Sequence, residues 1–248
     1  MTISPFPFAS WSSFFSSAVA FICVFLLYIR STRRKKAGAY THNFLASFAL
    51  IGFSLFLTGT PAILIKDPYW VQGVYMISGN LTQFAASYLA FTALTIFYPY
   101  RERFFSLAIW VPTIAFRVFA VINEFPLVKP AKEVIIGPFL DWQGSDMNPT
   151  NYLISIIWTL ANLLLFALLF CLKGWRHENP AIRARSRLLA AGMMVVIVGW
   201  TSAQTFSFIP MSASRYLFIS GTFGAALGNI GMVLLLLGVL AHERLDGE

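Results

Sequence analysis

The apolar residues of this chain are gathered into long blocks that alternate with short polar stretches. A transmembrane helix needs about 20 mostly apolar residues, because each residue adds about 1.5 Å along the helix and the hydrocarbon core is about 30 Å thick. Seven blocks reach this length. The predicted spans are residues 9–29, 41–65, 70–97, 104–124, 150–172, 187–210 and 215–241.

These blocks favour helices over strands. Backbone groups cannot stay unpaired in lipid, so only helices and closed barrels cross a membrane, and barrel strands are about ten residues long with alternating polarity. The blocks here are longer and continuously apolar. The predicted fold class is therefore all-α: a polytopic membrane protein in which residues 1–248 form a single seven-transmembrane-helix bundle.

The composition supports a membrane protein. Of the 248 residues, 58% are hydrophobic and 11% are charged, with a mean hydropathy of +0.70. Soluble chains carry about 25% charged residues, because a water-facing surface needs them. A disordered chain, a disulfide scaffold and a soluble nucleic-acid binder are therefore excluded. Cys23 and Cys171 lie within predicted spans, where we expect them to pack rather than to form a disulfide.

Lysine and arginine fall mainly in alternate connections between the blocks. Thirteen of the 18 basic side chains follow the first, third and fifth blocks or lie in the C-terminal tail: Arg30, Arg33, Arg34, Lys35, Lys36, Arg101, Arg103, Lys173, Arg176, Arg183, Arg185, Arg187 and Arg244. The other connections hold four: Lys66, Lys129, Lys132 and Arg215. Short basic connections stay in the cytoplasm. The sequence thus predicts an outside N-terminus and a cytoplasmic C-terminus.

The one-sided charge also predicts the partners. Basic cytoplasmic turns attract anionic lipid headgroups, so we expect the lipid bilayer, with anionic lipids at the cytoplasmic face, to explain the net charge of +8. We expect no nucleic-acid partner. The basic cluster follows the first block instead of preceding it, the reverse of a cleavable signal peptide. The first span is therefore expected to be retained in a multi-pass protein of the cell inner or plasma membrane.

The long segment 125–149 between the fourth and fifth blocks is predicted to lie outside. It contains a β-branched run at 134–136, a Gly-Pro pair at 137–138 and an aromatic-rich run at 139–142. This order predicts a small hairpin over the outer mouth of the bundle, and long loops that keep apolar residues are often lids. The alternative is a loop in which Phe139 and Trp142 anchor at the headgroup level.

Arg117 is the only lysine or arginine in the interior of a predicted span, since Arg187 and Arg215 lie at span ends. Ionisable residues at such depth are costly and mark functional sites. Glu124 follows seven residues later on the same helix face, roughly 10 Å along the axis. Because the planar guanidinium fork suits a carboxylate, Arg117 and Glu124 can bracket a ligand carboxylate or a water. In the alternative interpretation, the Arg117 side chain extends outward to lipid phosphates.

A second set of polar side chains inside the spans is neutral: Asn80, Gln83, Ser87, Asn162, Gln204 and Asn229. Asn80, Asn162 and Asn229 are predicted at similar depth, where three amides can share hydrogen bonds. Asn80, Gln83 and Ser87 form one stripe at i, i+3 and i+7. Interhelical hydrogen bonds in membranes average only about 0.6 kcal/mol, which favours a structural polar layer. A solvated binding cavity is the alternative.

Small residues and prolines shape the later spans. Gly224 and Gly228 form a GxxxG motif, which allows close helix packing. We expect this packing inside the bundle, with a homodimer face as the alternative. Pro61, Pro112 and Pro210 are each expected to bend or end a helix.

The sequence shows none of the residue patterns that are typical of an enzyme active site. No span carries a buried aspartate or glutamate, and His42, His177 and His242 lie on separate segments without metal-ligand spacing. The seventh span has no lysine for a retinal Schiff base. No phosphate-binding glycine loop or hydrolase motif occurs. We therefore expect no enzyme, no metal and no cofactor.

One basic motif and the overall plan resemble a known class of proteins. Residues 33–38 read Arg-Arg-Lys-Lys-Ala-Gly and lead into Asn43 and Phe44 at the start of the second block. Together with seven spans, an outside N-terminus and basic turns, this resembles the seven-helix membrane sensor region at the N-terminus of some bacterial histidine kinases. The resemblance covers nearly the whole chain. It implies sensing of a ligand or of the membrane state, with output from a separate partner, and implies no catalytic residue.

Three functional hypotheses follow. The first is an integral membrane sensor or receptor with an external ligand pocket near Arg117, Glu124 and Gln204, which signals through a cytoplasmic or membrane protein partner. The second is a small-solute transporter or channel, in which the polar path is lined by Asn80, Gln83, Asn162 and Asn229. The third is an accessory subunit of a membrane complex. A carrier needs a polar route that opens to both sides, whereas a receptor needs one pocket.

Overall fold

The computed structural model describes residues 7–33, 40–61, 63–124, 129–136, 139–143, 149–205 and 222–241. Within these ranges the chain is mainly helical. The long helices are α1 (Phe8–Arg33), α2 (Thr41–Gly59), α3 (Pro68–Phe97), α4 (Glu102–Glu124), α5 (Pro149–Leu169), α6 (Pro180–Thr205) and α7 (Ala225–Ala241). A 3-10 turn at Pro99–Arg101 precedes α4, and a π-helical segment at Phe170–Gly174 extends α5. The strands are β1 (Lys132–Ile136) and β2 (Phe139–Gln143).

Five stretches of these helices are long and apolar enough to cross a bilayer: Phe8–Thr32, Thr41–Gly59, Pro99–Asn123, Thr150–Gly174 and Thr222–Ala241. Helices α3 and α6 have 30 and 26 residues, so they are long enough to cross, but among the described residues they are not in this set of five. The prediction of a helical, membrane-compatible chain is therefore confirmed. Seven crossings with the predicted orientation stay a prediction.

Two helix ends lie six or more residues from the predicted boundaries. Helix α2 ends at Gly59 and not at residue 65, and Pro61 forms a β-bridge with Ile65. Helix α6 begins at Pro180 and not at residue 187, because the Asn179 side chain accepts a hydrogen bond from the Ala181 N–H at 2.9 Å and proline is favoured in a first turn. A basic stretch predicted as a loop is therefore helical. Residues 206–221, including Pro210, lie outside the described residues.

Consecutive helices pack as antiparallel neighbours. Ser10 Oγ donates to Pro61 O at 2.6 Å and Ser17 Oγ to Gly52 O at 2.8 Å, which joins α1 to α2 in opposite directions. Ser54 Oγ lies 2.8 Å from Ser78 Oγ and joins α2 to α3 in the same way. Helix α7 contacts both α6 and α1. These contacts confirm that short connections produce antiparallel neighbours.

The main core lies among α1, α2, α3, α5, α6 and α7. Its largest buried side chains include Phe44, Phe48, Phe166 and Met193, and the Phe44 and Phe166 rings meet edge to face with centroids 6.1 Å apart. Cys23 belongs to this core, as its position in the first span predicts. Among the described residues, α4 contributes no member of this cluster. Helix α4 therefore packs on the side of the bundle, against α3 and α5.

Helices α6 and α7 approach so closely that only glycine fits between them. A Cβ added to Gly192 would lie 2.8 Å from a backbone nitrogen of α7, and one added to Gly199 would lie 2.8 Å from Gly224 O. A Cβ added to Gly231 would lie 2.7 Å from Gly192 O, whereas one added to Gly228 would meet nothing within 4 Å. The expected packing inside the bundle is therefore confirmed. The two α6 glycines, Gly192 and Gly199, are spaced by seven residues. A Cβ added to Gly199 would also lie 3.0 Å from Gly228 N, so the backbone of both GxxxG glycines lies against Gly199.

The predicted hairpin is confirmed. Strands β1 and β2 pair antiparallel from Lys132 opposite Gln143 to Ile136 opposite Phe139. We call the end of the bundle that carries this hairpin the hairpin end. The opposite end, where α3 meets α4 and α5 meets α6, is the basic end.

The hairpin is docked on the first turns of α3. Trp142 is only 8% exposed and packs against Val71 and Ala131. The Tyr75 hydroxyl donates to Trp142 O at 3.0 Å, and the Ala131 N–H donates to Pro68 O at 3.0 Å. Trp142 is therefore a buried anchor of the hairpin, and its ring packs on protein instead of being exposed to the surroundings.

Candidate functional site

Polar side chains of three neighbouring helices meet along one line, which we call the α3–α4–α5 seam. Its members are Asn80, Gln83 and Ser87 on α3, Thr113 and Arg117 on α4, and Asn151, Ser155, Trp158 and Asn162 on α5. On each helix the members are three or four residues apart and so share one face. The seam therefore results from three helical stripes that the antiparallel packing brings together.

Arg117 joins all three helices. Its Nη1 donates to Asn80 Oδ1 on α3 at 2.8 Å, and its Nη2 donates to Ser155 Oγ on α5. The side chain is half-buried. The guanidinium is therefore directed at neighbouring helices, which supports the interior interpretation of Arg117 over extension to lipid phosphates.

A second polar layer lies one helical turn away, about 6 Å along α4. Ser87 Oγ is 2.9 Å from Thr113 Oγ1, and Trp158 Nε1 donates to the same Thr113 oxygen at 3.0 Å. Ser87 and Thr113 are completely buried. This layer again joins α3, α4 and α5, so hydrogen bonds at two levels fix the spacing of the three helices.

Gln83 lies between the two layers on the α3 stripe. Its side chain is 0% exposed, and neither its amide oxygen nor its amide nitrogen has a hydrogen-bond partner in the described part of the chain. Leaving a buried donor or acceptor unpaired costs about 1–3 kcal/mol. Within the same ranges, Asn151 Nδ2 on α5 is likewise buried and unpaired. These amides are suited to a water or a solute that offers both a donor and an acceptor.

Apolar side chains close the seam toward the basic end. Ala90, Leu94 and Ile109 form a buried cluster there, with Phe91 and Phe105 packed against it. The polar stripe of α3 ends before this cluster. The seam is therefore polar toward the hairpin end and apolar toward the basic end.

The structure brings together four of the seven predicted site residues: Asn80, Gln83, Asn162 and Arg117. Asn229 lies on α7, which packs against α6 and α1. Glu124 and Gln204 belong to α4 and α6, but their side chains lie outside the described part of the structure. The proposed bracket of Arg117 and Glu124 therefore stays a prediction.

The predicted layer of three shared amides is not formed. Asn80 accepts from Arg117, and Asn162 donates to Trp158 O of its own helix at 3.0 Å. Asn229 Oδ1 has no partner within the ranges that the structure describes. Among the described residues, no hydrogen bond joins any two of these amides, because Asn229 lies on a helix that packs elsewhere.

Sequence reasoning missed four members of the seam: Thr113, Asn151, Ser155 and Trp158. A signal was present, since Asn151, Ser155 and Asn162 recur at helical spacing in the fifth block and Thr113 lies one turn before Arg117. Serine and threonine are weak signals of a polar site in an apolar helix, because their hydroxyls often form hydrogen bonds to backbone carbonyls of the same helix.

The fold and the seam together define a class: a helical, membrane-compatible bundle with a buried polar site on one side. No protein-family model matches the chain, and no curated protein matches it. The resemblance to histidine-kinase sensor regions stays a prediction.

Proposed function

We propose that this chain is an integral membrane sensor of the receptor type, with seven spans and an outside N-terminus. It binds a small ligand that carries a carboxylate in the α3–α4–α5 seam, and it signals through a separate protein partner. The observation that carries this proposal is the Arg117 guanidinium, held between Asn80 and Ser155, with the buried, unpaired Gln83 amide three residues from Asn80 on α3.

The chemistry of the seam favours a carboxylate. An arginine fork offers five N–H donors in one plane and pairs well with planar anions. Asn80 and Ser155 hold two of its nitrogens in place, so part of the cost of orienting the side chain is met before a ligand arrives. The nearby Gln83 amide offers a donor and an acceptor to the rest of such a ligand.

The asymmetry of the seam favours a receptor over a carrier. A transport path needs polar groups that continue to the second side of the bundle. Here the cluster of Ala90, Leu94 and Ile109 lies across the continuation toward the basic end. A site that is polar on one side and closed on the other supports binding without passage.

The test uses the full-length protein in nanodiscs and a matched set of probes: acetate, butyrate and benzoate, each against its neutral amide. We expect the carboxylates alone to raise the unfolding midpoint, by about 2.7 kcal/mol of stability at 100 times the Kd. Arg117→Gln should abolish this rise and Arg117→Lys should restore part of it. Lys132→Gln, at an exposed position on β1, is the control and should respond like the parent protein.

Two results would overturn the proposal. If carboxylates and amides act alike, or if Arg117→Gln responds normally, the seam is not an anion site. If the purified protein moves radiolabelled butyrate across liposomes, the carrier hypothesis replaces the receptor.

A further inference from the structure

The junction of α5 and α6 gathers basic and aromatic side chains at the basic end. Lys173 Nζ lies 3.8 Å from the centre of the Tyr98 ring, and the Arg187 guanidinium lies 5.7 Å from the Trp175 ring. Such cation–π contacts hold long basic side chains in fixed positions. The Lys173 contact also places the α3–α4 turn beside the end of α5.

The backbone of this junction is tightly fixed. The π-helical segment Phe170–Gly174 packs against α6, where a Cβ added to Gly174 would clash with the Ser186 side chain. Asn179 caps the start of α6. Single π-helical turns occur often at functional sites. The backbone of the junction is therefore held in place by helix packing and by a helix cap.

A shallow, open groove of about 530 Å³ lies at the junction and is lined by Leu172, Lys173, Arg176, His177 and Glu178. His177 Nδ1 accepts the Asn179 N–H at 3.2 Å, so the proton of the neutral ring lies on Nε2, which can donate to an anion. Glu178 is the acidic member of the lining. Lys173, Arg176 and His177 thus offer three donors in one groove.

Apolar side chains flank these donors. Leu172 is 58% exposed and Trp175 is 44% exposed. The apolar stretch that can cross a bilayer, Thr150–Gly174, ends at this point. Basic donors, an exposed aromatic ring and an exposed leucine at the end of a span are the features that a phospholipid needs at the membrane interface.

We propose that this groove is a specific site for the phosphodiester headgroup of an anionic phospholipid. Lys173, Arg176 and His177 bind the phosphate, while Leu172 and Trp175 contact the start of the acyl chains. The proposal does not depend on the function proposed for the seam. It goes beyond general attraction of basic turns to a charged membrane, because it assigns the binding to one groove.

The test compares two double variants that remove the same charge from the full-length protein. Lys173→Gln with Arg176→Gln changes the groove, and Lys129→Gln with Lys132→Gln changes exposed positions at the hairpin end. Delipidated protein is titrated with phosphatidylglycerol and with phosphatidylcholine, and bound lipids are counted by native mass spectrometry. We expect the groove variant to bind phosphatidylglycerol about 30-fold more weakly, since each basic residue near a membrane surface contributes about 1 kcal/mol, and the control to bind normally.

Two further arms separate a lipid site from misfolding and from a site for a soluble anion. Lys173→Arg with Arg176→Lys keeps the charge and should keep the binding, which separates loss of the site from loss of folding. Millimolar inorganic phosphate should not displace phosphatidylglycerol. Equal weakening in both double variants would overturn the proposal in favour of general charge attraction, and displacement by phosphate would overturn it in favour of a soluble ligand.

Discussion

Replacing Gly231 with alanine tests how closely α6 and α7 approach each other. The added Cβ would lie 2.5 Å from Val196 Cγ2, 2.7 Å from Gly192 O and 2.8 Å from Val196 N. Two of these three atoms belong to the backbone of α6 and cannot rotate away, so the helices must separate by several tenths of an ångström or more. Overpacking of this kind costs about 1–3 kcal/mol.

The matched control is Gly228→Ala, because its added Cβ meets nothing within 4 Å. Alanine is favoured over glycine in a helix by about 1 kcal/mol, and both variants gain this amount. With the overpacking cost near 3 kcal/mol, we expect Gly231→Ala to be destabilised by about 2 kcal/mol and Gly228→Ala to be stabilised by about 1 kcal/mol.

The assay is unfolding in a mild detergent, by temperature and by titration with a denaturing detergent. For a chain of this size, 2 kcal/mol corresponds to a midpoint lowered by about 4–8 °C. Equal stability of the two variants would refute the close approach of α6 and α7. A destabilised Gly228→Ala beside a normal Gly231→Ala would instead place the tightest approach of the two helices at Gly228.

Two further predictions concern Gln83 and the hairpin. Gln83→Met should lower stability by about 1–2 kcal/mol if a bound water or solute pairs with the amide, whereas a rise in the unfolding midpoint would show that the amide has no partner. Trp142→Ala should cost about 3–5 kcal/mol of local packing and release the hairpin, seen as faster hydrogen exchange at 132–143. Tyr75→Phe, which removes one hydrogen bond, should cost only about 1 kcal/mol, and exchange that stays slow in Trp142→Ala would contradict the docking.

Local sequence signals predicted the elements well. The hairpin was predictable because its β-branched and aromatic runs flank a turn pair, and these signals act over a few residues. The start of α6 was not, because the basic residues before position 187 suggested a loop while Asn179 and Pro180 supply a helix start. Charge marks the side of a membrane, but it does not mark where a helix begins.

The site was harder to predict than the fold. Arg117 and Asn80 stand out as polar residues in apolar blocks, but their contact depends on which faces of α3 and α4 meet. Ser155 became a partner of Arg117 only through packing of α5 against the other two helices. The seven-residue glycine spacing in α6 and α7 was visible in the sequence, but it has meaning only when the two helices are known to be neighbours.

The lateral position of α4 has a mechanical consequence. Every other long helix supplies side chains to the main core, so shifting any of them disrupts large buried surfaces. Sliding α4 along its axis strains chiefly the contacts of Arg117 and Thr113, the rings around Trp110 and the small cluster at Ile109. Helix α4, which carries Arg117, is thus the long helix that can shift with the least disruption of buried surface. Its movement would be passed to the turn before it, where the Tyr98 and Phe105 rings are in contact.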